Sequence, residues 1–275
     1  MESRIKLVAA DMDGTLLNGE RRITKYTQKV IKKAMSQGIY FVPATGRSVN
    51  ALPQELKSLK ELRYGIFSNG ATVYDLWEEK TLYQNQFSRE RALELVQFLR
   101  AFEVMLSVNR NGRSFGEREA MEHIDDYELD ENTRAIILGS RQPVENLEDL
   151  LKSKDGNVEK ITLVFRTMEE RARAWEILSG INDIQFASSL PKNIEISLKG
   201  CNKGDGLLHL TKHLGLKQEE TMACGDADND REMLETAGIA VVMENGLESM
   251  KAIADYITVS NNEDGVAKAM EKFIK

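Results

Sequence analysis

Cysteine and histidine are scarce in this sequence, with two and three copies in 275 residues. Two thiols, Cys201 and Cys224, are too few for a disulfide framework, and a reducing compartment is expected. They form no CxxC or Cys/His ligand spacing, which argues against a structural zinc site. The histidines, His123, His209 and His213, adjoin no strong Ser or Cys nucleophile signature. His209 and His213 stand four apart but lack the glutamate of a zinc-protease helix. The chain also lacks a Lys/Arg cluster and carries a formal charge of −7, so the basic footprint of a nucleic-acid binder is missing. No apolar run approaches membrane-spanning length. Arg4 and Lys6 lead into a short apolar run that meets Asp11 and Asp13 at once, unlike a signal peptide. These absences predict a cytoplasmic protein with neither a nucleic-acid nor a membrane partner. A Walker A loop is also missing, because Glu20 stands where its lysine belongs after Gly14.

What is present is an ordinary globular composition, 41% hydrophobic and 29% charged, long enough for one large domain or two modest ones. Leu7–Ala10 is short, apolar and continuous, the mark of a strand covered on both faces. Apolar residues at Tyr26, Val30, Ile31 and Ala34 predict a helix over 24–37, with Thr24 as N-cap and Gly38 just beyond its end. Strands at 40–42 and Tyr64–Phe67 with a helix over 49–59 complete a β-α-β-α-β alternation. The same rhythm resumes with a helix over 203–214, strands at 221–224, 239–243 and 256–259, and helices over 230–236, 246–254 and 264–273. Between these halves, helices over 89–102, 144–151 and 169–178 alternate with strands at 104–108, 160–165 and Ile184–Ala187, and 109–113 reads as a polar loop. The expected fold is α/β: a Rossmann-like, doubly wound parallel-sheet core (1–82 and 189–275) with an inserted α/β domain (83–188).

Four segments carry chemistry. Asp11-Met12-Asp13-Gly14-Thr15 follows the first strand, where an open parallel sheet binds its ligands. Two carboxylates there can offer hard oxygens to Mg²⁺, or one can attack phosphorus while the other handles a proton. Thr45-Gly46-Arg47 follows the second strand and makes a small phosphate cradle of a hydroxyl and an N–H, although Thr-Gly also marks ordinary strand-to-helix turns. Lys203 opens a helix, an unfavourable place for a cation unless an anion sits nearby. Gly225-Asp226-Ala227-Asp228-Asn229-Asp230 follows another apolar strand, with Asp226 and Asp230 four apart. Acidity at two such strand ends calls for a cation. Ser68-Asn69-Gly70 reads as a tight turn.

In this order and spacing, the four segments resemble motifs I to IV of the haloacid dehalogenase-like hydrolase (HAD) superfamily, closest to its Cof-type phosphatases with a C2-type α/β cap. The ending Ser260-Asn261-Asn262-Glu263-Asp264-Gly265-Val266 is also similar to that subfamily. The resemblance implies that Asp11 is the nucleophile and a Mg²⁺ ligand, and Asp13 the general acid/base with its backbone carbonyl on the metal. It implies that Thr45, the N–H groups of Met12 and Gly46, Lys203 and Asn229 hold phosphoryl oxygens. Asp226 would ligate Mg²⁺, and Asp230 would support it from behind. No role follows for Arg47, which is left to contact substrate or pair with an acid.

The activity expected from this resemblance is Mg²⁺-dependent hydrolysis of a small phosphorylated metabolite (a sugar phosphate, nucleotide or cofactor phosphate) through an aspartyl phosphate. A sugar phosphomutase or phosphotransferase would use the same intermediate. A non-catalytic phosphometabolite-binding regulator is the alternative of another class; a separate acid/base and a large insertion argue against it. Specificity is expected in the insertion, with 109–123 as the candidate stretch.

Overall fold

The computed structural model describes residues 5–153, 156–190 and 192–274. The chain divides into two compact units: Met1–Arg47 with Leu52–Gln84 and Asn202–Lys275, and Ser48–Ala51 with Asn85–Cys201. In chain order the first unit opens with strands β1 (Leu7–Ala10), β2 (Tyr40–Pro43), β3 (Tyr64–Phe67), β4 (Thr72–Asp75) and β5 (Lys80–Gln84). The second unit holds β6 (Met105–Arg110), β7 (Arg113–Glu117), β8 (Arg141–Val144), β9 (Val158–Val164), β10 (Ile184–Ala187) and β11 (Asn193–Leu198). Back in the first unit follow β12 (Thr221–Gly225), β13 (Ile239–Val242) and β14 (Tyr256–Ile257).

The first unit is built on a parallel five-stranded sheet in the order β14-β13-β12-β1-β2. Its interior strand β1 is apolar throughout, and all four residues of Leu7–Ala10 are buried, as a strand covered on both faces requires. Leu7, Ala9, Val42, Ala223 and Val242 share a core with Leu207 and Leu210 of the helix Lys203–His213. The helix Lys25–Ser36 buries Val30, Ile31 and Ala34. Thr24 caps its start by accepting from Thr27 N at 3.1 Å. At its other end Gly38 N donates to Met35 O and Ile39 N to Ala34 O, with Gly38 at φ +83°, a Schellman closure.

The order in which the parallel strands are connected changes side between β1 and its neighbour β12, and the register aligns their ends. Ala10 lies opposite both Cys224 and Pro43, so Asp11, Ala44 and Gly225 come together at the carboxyl end of the strands. That is the topological switch point at which open α/β sheets bind ligands.

Three expectations are corrected in this unit. Tyr64–Phe67 is a strand, but it belongs to a separate antiparallel sheet in the order β3-β4-β5. Its parallel link to the main sheet is a single bridge between Ala44 and Ile66. Ser68-Asn69-Gly70 turns β3 back on itself, so β4 takes the edge a further parallel strand would have needed. The helix expected over 49–59 is broken into a 3₁₀ turn, Val49–Ala51, and a short helix, Gln54–Lys57, because Pro53 disfavours the helical conformation of Leu52. The helix expected over 230–236 begins at Arg231, after a 3₁₀ turn at Asp228–Asp230.

The second unit carries a six-stranded sheet, β10-β11-β9-β6-β7-β8, antiparallel except for β7 with β8. One face, with Leu106, Val108, Ile161, Leu163, Ile194 and Ile196, packs with residues of the helices Arg89–Leu99, Leu147–Ser153 and Met168–Leu178. The alternate residues Ser107, Asn109, Lys160, Thr162, Glu195 and Ser197 are polar yet buried, and Lys160 Nζ donates to Glu195 Oε1 at 2.6 Å. The loop expected at 109–113 is instead the tip of a hairpin, turning at Asn111 and Gly112 with both at positive φ. The second crossing between the units falls after Cys201 rather than at 188. Strand β11 pairs with β9 and β10, which keeps 189–201 with the second sheet.

Gly70 shows how tightly the first unit is closed. At φ +95°, a Cβ there would stand 1.9 Å from the carbonyl oxygen of Asn202. Gly70→Ala is expected to lower the unfolding free energy by about 3 kcal/mol, combining overpacking with left-handed strain. Gly38 shares the positive φ but has nothing within 4 Å of a built Cβ. Gly38→Ala should therefore cost only about 1 kcal/mol, and urea denaturation of the two variants checks the difference.

Candidate active site

Asp11 leaves β1 at the switch point, its N–H donating to Cys224 O at 2.9 Å. Its carboxylate is buried, and Lys203 Nζ approaches Oδ1 at 2.5 Å. Lys203 itself is fully buried at the start of its helix, where Asn202 caps by accepting from Asp205 N at 2.8 Å. The same ammonium donates to Asp230 Oδ1 at 2.7 Å. Asp230 Oδ2 accepts from the N–H groups of Asp226 (2.9 Å) and Ala227 (3.1 Å), so Asp230 pins the start of its own loop. Asp226 Oδ1 accepts from the Thr15 hydroxyl at 2.5 Å. Among the described residues, Asp11, Asp226 and Asp230 form a group whose carboxylate oxygens lie within 4.8 Å of one another.

Burial and crowding set the charges. Burial pushes the Asp11 carboxyl well above its ordinary value, and Asp230, Asp226 and Asp13 add to that against the pull of Lys203. Asp226 is pushed up to about 7, by burial first and the Asp230 charge second. Burial alone would lower the Lys203 ammonium, but Asp11 and Asp230 overcome it and hold the group above its usual range. When all three carboxylates are ionised, they leave two negative charges against one ammonium, which a divalent cation on hard oxygen donors would balance. The donor set therefore fits the expected metal. Asp230 has its oxygens committed to Lys203 and two backbone N–H groups, which suits support rather than ligation. The neighbouring Cys224 thiol is pushed up to about 12 by burial, so it stays protonated near Asp11.

The remaining expected residues surround this centre on their own loops. Asp13 turns its carboxylate to Arg47, which grips it through Nε (2.8 Å to Oδ2) and Nη2. This settles the partner of Arg47, which the sequence had left open between substrate and acid. Thr45 is buried, its hydroxyl accepting from Arg47 N at 3.1 Å and its N–H donating to Ile66 O at 2.9 Å. Gly46 follows half-buried on the same loop. Met12 is buried, its carbonyl accepting from Leu17 N at 2.8 Å. Asn229 donates from Nδ2 to Asn69 Oδ1 at 3.3 Å. Thr15, Asn69 and Asn245, which donates to Gly14 O at 2.8 Å, escape the sequence reading as partners in the site. Thr15 alone had a local signal, lying within the DxDGT run.

A parallel α/β sheet with a cluster of buried carboxylates around a buried lysine at its switch point is an arrangement suited to phosphoryl transfer. The family described as haloacid dehalogenase-like hydrolase matches residues 8–270, and the chain belongs to it. Over 275 aligned residues it is 32% identical to the 5-amino-6-(5-phospho-D-ribitylamino)uracil phosphatase YcsE of Bacillus subtilis (strain 168), covering 98% of this chain and 96% of that one. Its fold is similar to that of a haloacid dehalogenase-like hydrolase from B. subtilis, with a TM-score of 0.86, 27% identity, and 98% and 100% of the two chains covered. It is also similar to the HAD subclass IIB sugar phosphatase BT4131, with a TM-score of 0.79, 27% identity, and 98% of each chain covered. The protein is a phosphatase of this superfamily. Among the described residues, no helix is long and apolar enough to cross a membrane.

The raised Asp226 carboxyl has a consequence for the metal-free protein. A carboxyl whose folded pKa is about 7 holds its proton when the unfolded chain, near 4, has lost it. Its contribution to stability is therefore full below about pH 4 and lost as pH rises through about 7. In EDTA, the thermal midpoint is expected to fall between pH 5 and 7.5 by a step that shrinks in Asp226→Asn, as scanning calorimetry across that range would measure.

Proposed function

We propose that this phosphatase is Mg²⁺-dependent and hydrolyses small phosphorylated metabolites through an aspartyl phosphate on Asp11. The observation that carries this reading is the buried Lys203 ammonium between Asp11 and Asp230, beside Asp226. It places a carboxylate beside a cation for the phosphoryl group that the carboxylate attacks.

In the first step an Asp11 oxygen bonds to phosphorus and the ester oxygen leaves, taking a proton from Asp13. In the second step Asp13 takes a proton from water, the water oxygen bonds to phosphorus, and inorganic phosphate departs from a restored Asp11 carboxylate. Thr45, the N–H groups of Gly46 and Met12, Lys203 and Asn229 hold the equatorial oxygens, where charge spreads in the transition state. Asp11, Asp226 and the Asp13 carbonyl, with Asp230 behind them, would hold a Mg²⁺ ion, which would supply charge neutralisation. Arg47 holds the Asp13 carboxylate through two nitrogens, which limits its rotation.

The substrate class follows the relatives, one a phosphatase of a ribitylaminouracil phosphate and one a sugar phosphatase. The inserted unit is assigned the choice of substrate, with the hairpin β6–β7 in the expected stretch 109–123. A reducing, cytoplasmic setting is supported by two buried thiols that form no disulfide.

Hydrolysis of p-nitrophenyl phosphate tests the reading. Activity with Mg²⁺ should fall at least about a thousandfold in Asp11→Asn, where the nucleophile is gone, and should vanish in EDTA and return with added Mg²⁺. Wild-type turnover in Asp11→Asn would overturn it.

A further inference from the structure

The turn Ser68-Asn69-Gly70 joins β3 to β4, and a hairpin needs nothing more of it. All three residues nevertheless have positive φ, 51°, 57° and 95°, and all three are buried. Two successive L-residues in the left-handed region cost energy that only surrounding contacts can hold in place.

Those contacts lead to the segments that handle phosphate. Ser68 N donates to Arg47 O at 2.9 Å and Asn69 N to Thr45 O at 3.0 Å, so the turn is laced to the Thr45–Arg47 loop. Gly70 lies against the carbonyl of Asn202, the cap of the Lys203 helix. The Asn69 side chain accepts from Asn229 Nδ2 at 3.3 Å, from a loop 160 residues further along the chain. One turn thus meets the three segments that carry Thr45, Lys203 and Asn229.

We propose that Asn69 is a positioning residue for phosphoryl transfer, fixing the Asn229 carboxamide so that it can donate to a phosphoryl oxygen. This rests on the reading of Asn229 as a phosphoryl donor. An amide nitrogen carries two hydrogens. With one anchored on Asn69 Oδ1, the plane of the group is set and the second hydrogen serves the ligand. Asparagine suits the place twice, because it tolerates the left-handed backbone better than most residues and supplies the acceptor. Asn69 itself need not touch the substrate.

The test separates side chain from turn. Glycine accepts the same φ, so Asn69→Gly keeps the turn and removes only the amide. Its melting temperature should stay within about 3 °C of wild type. With Mg²⁺ present, kcat/KM for p-nitrophenyl phosphate should fall about tenfold, mostly in kcat, as when a group orienting a reactive side chain is lost. The Kd of inorganic phosphate, measured by calorimetry, should weaken by a similar factor. In an Asn229→Ala background, Asn69→Gly should change either quantity by less than about twofold, since coupled residues are not additive.

Unchanged kcat/KM and phosphate Kd in Asn69→Gly, alongside a defective Asn229→Ala, would overturn the proposal alone. A further loss of about tenfold on adding Asn69→Gly to Asn229→Ala would also overturn it, as would a collapse of the Asn69→Gly melting temperature. Wild-type phosphate affinity in Asn229→Ala would instead remove the donor on which the proposal rests, a failure of the site assignment that is distinct from the others.

Discussion

The ammonium of Lys203, fully buried between Asp11 and Asp230, is the interaction on which this molecule depends. Carboxylates placed out of water are costly unless paired and hydrogen-bonded. Here one cation binds two of them, two backbone N–H groups take the far oxygen of Asp230, and the Thr15 hydroxyl takes Asp226. The compensation stops short of neutrality. With its carboxylates ionised the centre carries surplus negative charge, which a divalent cation would balance. A surplus of this kind is tolerable only where backbone, cap and neighbouring loops leave the carboxylates no freedom to separate.

That lack of freedom comes from the sheet. The registers of β1 with β2 and with β12 bring residues 11, 44 and 225 together at the carboxyl end of the strands, although they are far apart in the chain. The helix carrying Lys203 shares its core with those same strands through Leu207 and Leu210. The apolar contacts beneath the site and the charges above it are thus consequences of one packing arrangement. The Ser68–Gly70 turn adds the last constraint, using strained backbone where a looser hairpin would have served the fold equally well.

Membership of the haloacid dehalogenase-like hydrolases gives this geometry its chemistry, and the relatives place small phosphate esters within reach of such sites. The second unit contributes a sheet with one apolar and one polar face. The apolar face holds its three helices, while the polar face buries hydroxyls, an amide and the Lys160–Glu195 pair. A buried ion pair is weak evidence for stability, because the cost of desolvating both charges offsets their attraction.

Much of the candidate site was legible before any fold was built, because its residues sit in short runs at the ends of apolar strands. Asp11, Asp13, Thr45, Asp226, Asn229 and Asp230 stand out this way, and strand-end position is a local property. Periodicity likewise marked the helix Lys25–Ser36 and its caps, since i to i+4 contacts are local. The sequence marked Tyr64–Phe67 and 104–108 as strands but was silent on the antiparallel sheet β3-β4-β5 and the hairpin β6–β7 that they enter. Their pairing depends on partners that compete for an edge. It was equally silent on the pairing of Arg47 with Asp13 and of Asn69 with Asn229. The sequence by itself determined which residues carry charge and which runs are apolar enough to become buried strands. Only the tertiary structure decided which charges meet, because pairing across 34 or 160 residues is set by strand register and turn geometry, for which no local pattern exists.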